Sequence, residues 1–473
     1  MKKLNRITAA SPQHRPVKIL QFGEGNFLRA FADWVIDIMN EKTDFNGAIQ
    51  LVQPIQNGMG NLVNTQDGLY HVVLNGIQNG KEVKEVRLIT SVVGVINPFE
   101  NFNVYLKAAE NPELKFILSN TTEAGITFNA NDHDPSALPE SFPGKLTVLL
   151  YHRFQFFKGA KEKAVVLMPC ELIEKNGEVL RTTLLQYIDH WKLPVEFKNW
   201  INDDTLFCNT LVDRIVPGFP KDTITQIQNE VGYEDNLVVN AEPFHLWVIE
   251  APQGVSELFP AEQSGLQVKF VKDLTPYRTR KVRILNGAHT ALVPVAYLKG
   301  LRTVREAVED RYAGDFVRKA IFEEIIPTLD LSKEELTQFA NDVIERFQNP
   351  SIRHELISIS LNSISKYQVR VLPSVLEYYK RTGKLPELLL QSLSALIRFY
   401  KGDWKGQSIP VNDTPEIMAF FKTVWVNTDP SFITKSVLSN KNLWGQDLSQ
   451  VAGFTEFVEK NLSILMEVEL VNK

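Results

Sequence analysis

Cysteine is nearly absent: Cys170 and Cys208 are the only two in 473 residues, and they form no near pair. A disulfide scaffold, a cysteine-based zinc site and an iron–sulfur cluster all need more thiols or closer ones, so these classes fall away. The usage fits a reducing cytoplasm. No stretch reaches the ~18 consecutive apolar residues of a membrane helix. The segment Met1–Arg6 then turns polar, without the apolar core of a secretory signal. These absences predict a cytoplasmic protein with no membrane partner. An excess of positive charge is also missing, because 51 Lys plus Arg face 56 Asp plus Glu, a formal net charge of −5. Nucleic acid and anionic membrane surfaces both demand clustered positive charge, which argues against either as the main partner. What remains is ordinary globular usage, 44% hydrophobic and 23% charged, over a length that suggests about two to four domains.

The first half alternates short apolar runs with helical patterns. Val17–Phe22, Ala48–Val52, Phe116–Ser119 and Ala164–Met168 read as strands, while Phe27–Met39, Phe99–Ala109 and Leu146–Phe157 read as helices. Such alternation predicts βαβ units around a parallel sheet buried on both faces. His71–Leu74 and Glu82–Val95 read as inserted antiparallel strands, with Asn79-Gly80 as a turn. Past about Val271 apolar residues recur at three- and four-residue spacing, through Phe316–Ile326, Leu336–Phe347, Leu356–Ile364, Leu388–Phe399 and Phe454–Val468. The expected fold is α/β: a Rossmann-like domain with a mostly parallel sheet over residues 1–272, then a mainly helical catalytic domain over 273–473. An active site is expected in the cleft between them.

Gly23-Glu24-Gly25-Asn26-Phe27-Leu28-Arg29 stands where the first strand meets the first helix. Glycine there lets the backbone turn tightly and approach a pyrophosphate, whose charge then faces a helix N-terminus. Gly23, Gly25, Asn26 and Phe27 are the candidate cofactor contacts, with Arg29 reaching a phosphate from the first turn. The third glycine of the usual fingerprint is replaced by Leu28, so a simple tight turn explains the fragment equally well. The second strand ends in Gln53-Pro54-Ile55-Gln56, with no acid for a ribose hydroxyl and no arginine for a 2′-phosphate. Gln53 could bond either form, which leaves NAD and NADP both open.

Lys281, Asn286 and His289 fall within one arc of about 140° if their segment is a regular α-helix. Hydride chemistry on a carbonyl needs a proton donor, a donor to the developing oxyanion and a group that orients them. Those three residues can take these roles in that order. Arg278, Arg280 and Arg283 crowd Lys281 with positive charge, an arrangement expected to favour its neutral form. The plain alternative is a solvated basic turn with His289 satisfied in the core. Lys366 and Arg370, with Asn362, recur every four residues on one helix face; toward a cleft they would suit a carboxylate, toward solvent they are a polar stripe.

These motifs together resemble the polyol-specific long-chain dehydrogenases, the mannitol dehydrogenase family. The resemblance is carried by Lys281-x4-Asn286-x2-His289, Gly23-x-Gly25-x-Phe27-x-Arg29-Ala30, Gln66-Asp67-Gly68-Leu69-Tyr70, Thr122-Glu123-x-Gly125, Val212-Asp213-Arg214-Ile215 and Arg346-Phe347-x-Asn349-Pro350, and it covers nearly the whole chain. It implies a metal-independent dehydrogenase using NAD, with Lys281 as acid–base and Asn286 and His289 in support. It adds Thr122 to the cofactor contacts and Asp213 to the substrate contacts. Family members carry a second oxyanion-binding Asn where Leu172 stands, so that role is left to Asn286 alone or to Asn176. The details of Gln21–Arg29, Ser119–Gly125, Pro169–Leu172 and Leu285–Thr290 look most like the branch acting on hexuronates and hexonates. Another member of the family, acting on mannonate, mannitol or mannitol 1-phosphate, is the near alternative, and a nucleotide-sensing protein the distant one. The expected partner is therefore a small sugar acid, bound by a monomer or homodimer.

Overall fold

The computed structural model describes residues 1–121, 125–351 and 353–471. The chain forms two compact units, Met1–Asn75 with Glu82–Leu274, and Gly76–Lys81 with Thr275–Lys473.

The first unit is built on six parallel strands: β1 (Val17–Phe22), β2 (Ala48–Val52), β3 (Val92–Ile96), β4 (Phe116–Ser119), β5 (Val166–Pro169) and β6 (Leu206–Phe207). Their spatial order is β3-β2-β1-β4-β5-β6, with Phe22 of β1 opposite both Val52 of β2 and Ser119 of β4. Successive residues serve opposite faces. Ile19, Leu51, Leu118 and Met168 enter one core, while Leu20, Phe22, Val52, Ile117 and Leu167 enter the other. Burial on both faces explains why these strands read as continuous apolar runs, and why the sheet is parallel.

Three strands, β7 (Asn209–Asp213), β8 (Leu246–Glu250) and β9 (Val268–Val271), make a second sheet in this unit. Asn176 joins the two sheets and is fully buried. Its amide donates to the carbonyls of Pro169, Glu171 and Thr210 at 3.0–3.1 Å and its oxygen accepts from the Thr210 amide at 2.8 Å. Every polar atom of the side chain is thereby used, so Asn176 does not supply the oxyanion donor missing at Leu172.

Two sequence expectations change. The segment Glu82–Val95 is not one inserted strand: Lys81–Ile89 joins a three-stranded sheet with Tyr70–Gln78 and Val239–Ala241, whereas Val92–Ile96 is the edge of the main sheet. The break is made by Asp37, whose carboxylate accepts from the amides of Thr90 and Ser91 and turns the chain there. The helix expected over Phe27–Met39 is two, Asn26–Arg29 and Ala32–Lys42. Phe31 leaves helical geometry between them (φ −125°, ψ −81°) and packs its ring against Phe27 and Trp247.

From Thr275 on, the described residues of the second unit are mainly helical, with a two-residue ladder, Asp403–Trp404 with Gln407–Ser408. Leu356–Ile364 is not one helix. Leu356–Ile359 ends, Asn362 takes a left-handed conformation (φ +54°), and Ser363–Arg370 starts anew. Lys366 and Arg370 thus share a helix that Asn362 only precedes. Asn79 and Gly80, both left-handed (φ +53° and +70°), form the expected turn, and their amides donate to the two carboxylate oxygens of Glu345.

Asn176→Ala removes these bonds and leaves buried carbonyls unpaired, a loss expected to be about 2–4 kcal/mol. Urea unfolding measures it; a change below ~0.5 kcal/mol would show that water replaces the amide.

Candidate active site

The strand order reverses at β1 and β4, and a crevice opens at their carboxyl ends, where doubly wound sheets bind nucleotides. A cavity of about 660 Å³ lies there, lined by Gly23, Gly25, Pro54, Asn57, Met59, Asn120 and Thr121 among others. Gly23 adopts φ +125°, a conformation glycine accepts most readily. A Cβ on Gly25 would point into open space, so backbone and ligand can approach closely. These features fit a dinucleotide. The remaining residues of the turn do other work. Arg29 is buried and donates to the carbonyls of Glu24 and Leu237 and to the Asn26 side chain. It braces the turn from behind and does not reach a phosphate. Asn26 is occupied by that bond and abuts Gly218, and Phe27 stacks on Phe31 at 5.0 Å. Both are packing residues by their side chains. Thr122 lies outside the described residues.

The loop after β2 is fixed from below. Gln53 donates to the carbonyls of Ile55 and Gln56 and accepts from the Gly60 amide, and Glu24 accepts from the Met59 amide. A Cβ on Gly58 would collide with Glu24 and Gln53. Gln53 is therefore spent on the loop and is not the ribose ligand that its position suggested. Burial raises the Glu24 carboxyl above its usual range.

Lys281, Asn286 and His289 lie on one continuous helical stretch, Thr275–Lys299, whose middle, Lys281–Gly287, is a π-helix. This changes the geometry. On a regular α-helix residues five apart diverge by about 140°, but the i→i+5 pattern of a π turn stacks them on one side, so Lys281 and Asn286 align. Gly287 lets the next layer close in: a Cβ there would stand 3.0 Å from the Arg370 carbonyl. The helix Ser363–Arg370 thereby lies directly against the π turn.

Polar satisfaction fails at this place. The Asn286 side chain has no hydrogen-bond partner among the described residues, and the buried Nε2 of His289 has none. The His289 ring stacks on Phe347 at 4.0 Å and meets His354 nearly edge-on at 5.0 Å. Burial drives its pKa well below the usual 6.5, helped by the charges of His354, Arg346 and Arg370, so the ring is neutral. Phe347 and His354 are contacts the spacing pattern did not single out; they come from other helices and loops, and only the Arg346-Phe347 run gave a sign. Arg280 is buried, paired with Glu335 at 3.1 Å and laid over Phe339, so its charge is met there and not left to act on Lys281.

Of the proposed substrate contacts, Arg370 is partly buried with no hydrogen-bond partner among the described residues, and burial lowers its pKa. Lys366 donates to the Ile359 carbonyl at 2.8 Å. Asp213 ends β7 and is buried. Its neighbour Arg214 donates to the carbonyls of Glu242 and Ala30 and lies over Trp34. No group of three or more metal-ligating side chains occurs among the described residues.

A His held neutral when folded takes a proton only when unfolded, so the unfolded state binds more protons below about pH 6.5 and stability falls as pH drops. For His289 the loss between pH 7 and pH 5 is about 2 kcal/mol. His289→Gln should flatten the fall by that amount in urea titrations at the two pH values. Parallel slopes would mean that the ring titrates normally.

The family models described as mannitol dehydrogenase Rossmann domain and mannitol dehydrogenase C-terminal domain match residues 17–260 and 273–466. Altronate oxidoreductase of Phocaeicola vulgatus is 48% identical over 469 residues, covering 99% of this chain and 98% of that protein. The altronate oxidoreductase of Bacillus subtilis is 48% identical over 470 residues, covering 99% and 96%. Among solved structures, D-sorbitol dehydrogenase in its substrate-free form aligns with a TM-score of 0.84 at 23% identity over 99% of both chains. Pseudomonas fluorescens mannitol 2-dehydrogenase, solved with NAD and D-mannitol, aligns at 0.69 and 23% over 99% and 98%. The expected Rossmann-type α/β unit followed by helices is thus the fold of this group, and the chain belongs to the mannitol dehydrogenase family as an oxidoreductase acting on a CH–OH group.

Proposed function

We propose that this chain interconverts D-altronate and D-tagaturonate with NAD, as a step in hexuronate breakdown. The observation that carries the reading is the cluster of unpaired groups on two packed helices, Asn286, His289 and Arg370, beside Lys281. Near-half identity over full length to altronate oxidoreductases supports it. Gly23 and Gly25, with Asn120 and Thr121 across the crevice, would hold the cofactor, and the pinned Pro54–Met59 loop would border its adenosine half. NAD in that cavity supplies the hydride acceptor for oxidation and, reduced, the donor for the reverse.

The residues of the second unit would handle the proton and the charge. Lys281 takes the hydroxyl proton as altronate is oxidised and returns it to the carbonyl oxygen on reduction. Asn286 has a free amide N–H₂ to donate to that oxygen as negative charge grows on it. His289, neutral and rigid between Phe347 and His354, keeps a ring nitrogen available to hold a substrate hydroxyl. Arg370 meets the carboxylate. A guanidinium grips a carboxylate through two parallel N–H donors, and one with no protein partner loses nothing by turning to the substrate.

Lys281→Ala should lower turnover by about 10²–10⁴-fold and leave the equilibrium binding of NADH nearly unchanged. A variant with more than about a tenth of wild-type turnover would remove Lys281 from the mechanism.

The substrate is tested by charge. The specificity constant for tagaturonate should exceed that for uncharged fructose by at least ~10²-fold, since a site built for a charge-assisted bond rejects a substrate lacking it. Arg370→Ala should raise the Michaelis constant for the acid about tenfold or more with little effect on residual fructose reduction. Equal losses on both would make Arg370 a fold residue, and equal wild-type efficiencies would move the enzyme to the mannitol branch.

A further inference from the structure

One wall of the glycine-turn cavity is an aromatic ring with an unusually firm backing. Phe128 lines the cavity together with Thr127, Asn129 and Ser141. Its ring lies 4.8 Å from that of Tyr187 and meets His190 edge-on at 5.3 Å. Tyr187 is itself fixed: its hydroxyl donates to the Asp132 carboxylate at 2.9 Å and accepts from the Asn129 amide at 2.8 Å. The same carboxylate accepts from the amides of Glu140 and Ser141 and from the Ser141 hydroxyl. The carbonyl of Asp132 receives the Trp191 indole N–H. Ser141 also caps the helix Phe142–Phe156. A loop that merely connected β4 to that helix would not need its carboxylate, its backbone and its aromatic ring all held from behind.

Another part of the same lining is apolar. Pro54 and Ile55 line the cavity from the loop after β2, and Ile55 is 61% exposed, an outlay of apolar surface that the protein itself does not cover. In a doubly wound sheet the end of the second strand is the side that receives the adenosine ribose. An aromatic face from the chain after β4 and an exposed aliphatic group from the loop after β2, lining one cavity, suit a flat purine.

We propose that Phe128 is the stacking platform for the adenine ring of the dinucleotide, with Pro54 and Ile55 as the further apolar contacts and the Asp132–Tyr187 knot as its support. The assignment rests on the reading of this cavity as the cofactor site. Stacking on an aromatic side chain has little regard for polar edges, so it contributes affinity and leaves the choice between NAD and NADP to other groups. This accounts for a second-strand end that carries neither an acid nor an arginine.

The test is equilibrium binding of NADH and of ADP-ribose, which lacks the nicotinamide, to the full chain by titration calorimetry. Phe128→Leu keeps apolar bulk and removes the ring; it should weaken both ligands by about tenfold to a hundredfold, while Phe128→Trp stays within about twofold. Phe128→Ala adds a second reading where its thermal midpoint matches wild type, and Phe128→Leu decides where it does not. Both ligands binding Phe128→Leu within twofold of wild type would overturn the platform. Loss of NADH affinity with ADP-ribose unchanged would overturn the adenine assignment and place the nicotinamide ring there. A wild-type chain that binds neither ligand would instead bring down the cofactor reading itself.

Discussion

The placement of β1 between β2 and β4 is the constraint on which the first unit depends. Because the chain adds β2 and β3 on one side and β4 to β6 on the other, the loops leaving β1 and β4 must part in opposite directions. The gap between them is a product of topology and needs no special residue to open it. Residues then decide only its finish. Gly23 turns the backbone, Gly25 leaves space, and Arg29 locks the turn to Leu237 from inside the core. An arginine beside a phosphate-binding glycine turn invites reading as a phosphate ligand, yet its five donors serve carbonyls equally well, and burial selects the carbonyls.

Several large buried polar groups elsewhere are fully satisfied, and they set a contrast with the helical cluster. Asn176 makes bonds to three carbonyls and an amide. Arg153, also buried, donates to the carbonyls of Lys163, Ala109, Asn111 and Leu114. Such groups offer a ligand nothing, since binding one would break a bond for each it made. Asn286, the Nε2 of His289 and Arg370 differ, because folding has set them without partners in one neighbourhood. A buried donor or acceptor left unpaired costs about 1–3 kcal/mol, and such costs gather where a ligand later removes them. The π turn at Lys281–Gly287 belongs to the same pattern: a less favourable helix geometry that aligns two side chains regular winding would separate.

What was legible in the sequence follows from range. Val17–Phe22, Ala48–Val52 and Phe116–Ser119 were readable because burial on both faces writes itself into adjacent residues. The Asn79-Gly80 turn was readable because only a few residue types tolerate left-handed geometry. Lys281, Asn286 and His289 stand out by spacing, but the π turn at Lys281–Gly287 is invisible to a pattern that assumes 3.6 residues per turn. Gln53 and Asn176 were misjudged for another reason. An amide side chain at the end of a strand looks free in sequence, and only the chain 7 or 34 residues away reveals what it binds. His354 and Phe347 reach His289 from 65 and 58 positions further along the chain, and no local signal announces such a contact.

Charge bears on the proposed substrate, since a chain of net charge −5 would have to admit an anionic sugar acid. Screening limits net charge to a weak influence beyond about 8 Å in physiological salt, so the local balance decides. Of the cations on the two helices in contact, Arg278, Arg280, Lys281 and Arg283 stand near the π turn on one, and Lys366 and Arg370 on the other. Glu335 takes up the charge of Arg280, and the Ile359 carbonyl holds the ammonium of Lys366. Arg283 is partly buried and feels Glu377 as its one compensating charge. Arg283 has a buried Nη1 without a partner, and Arg370 combines partial burial, the absence of a hydrogen-bond partner among the described residues and a position against Gly287, between Asn286 and His289 in sequence. Partial burial strengthens its attraction for a carboxylate relative to an exposed cation, and the missing partner means that no protein bond opposes the exchange. A net negative charge and a proposed site for an acid are compatible because they operate over different distances.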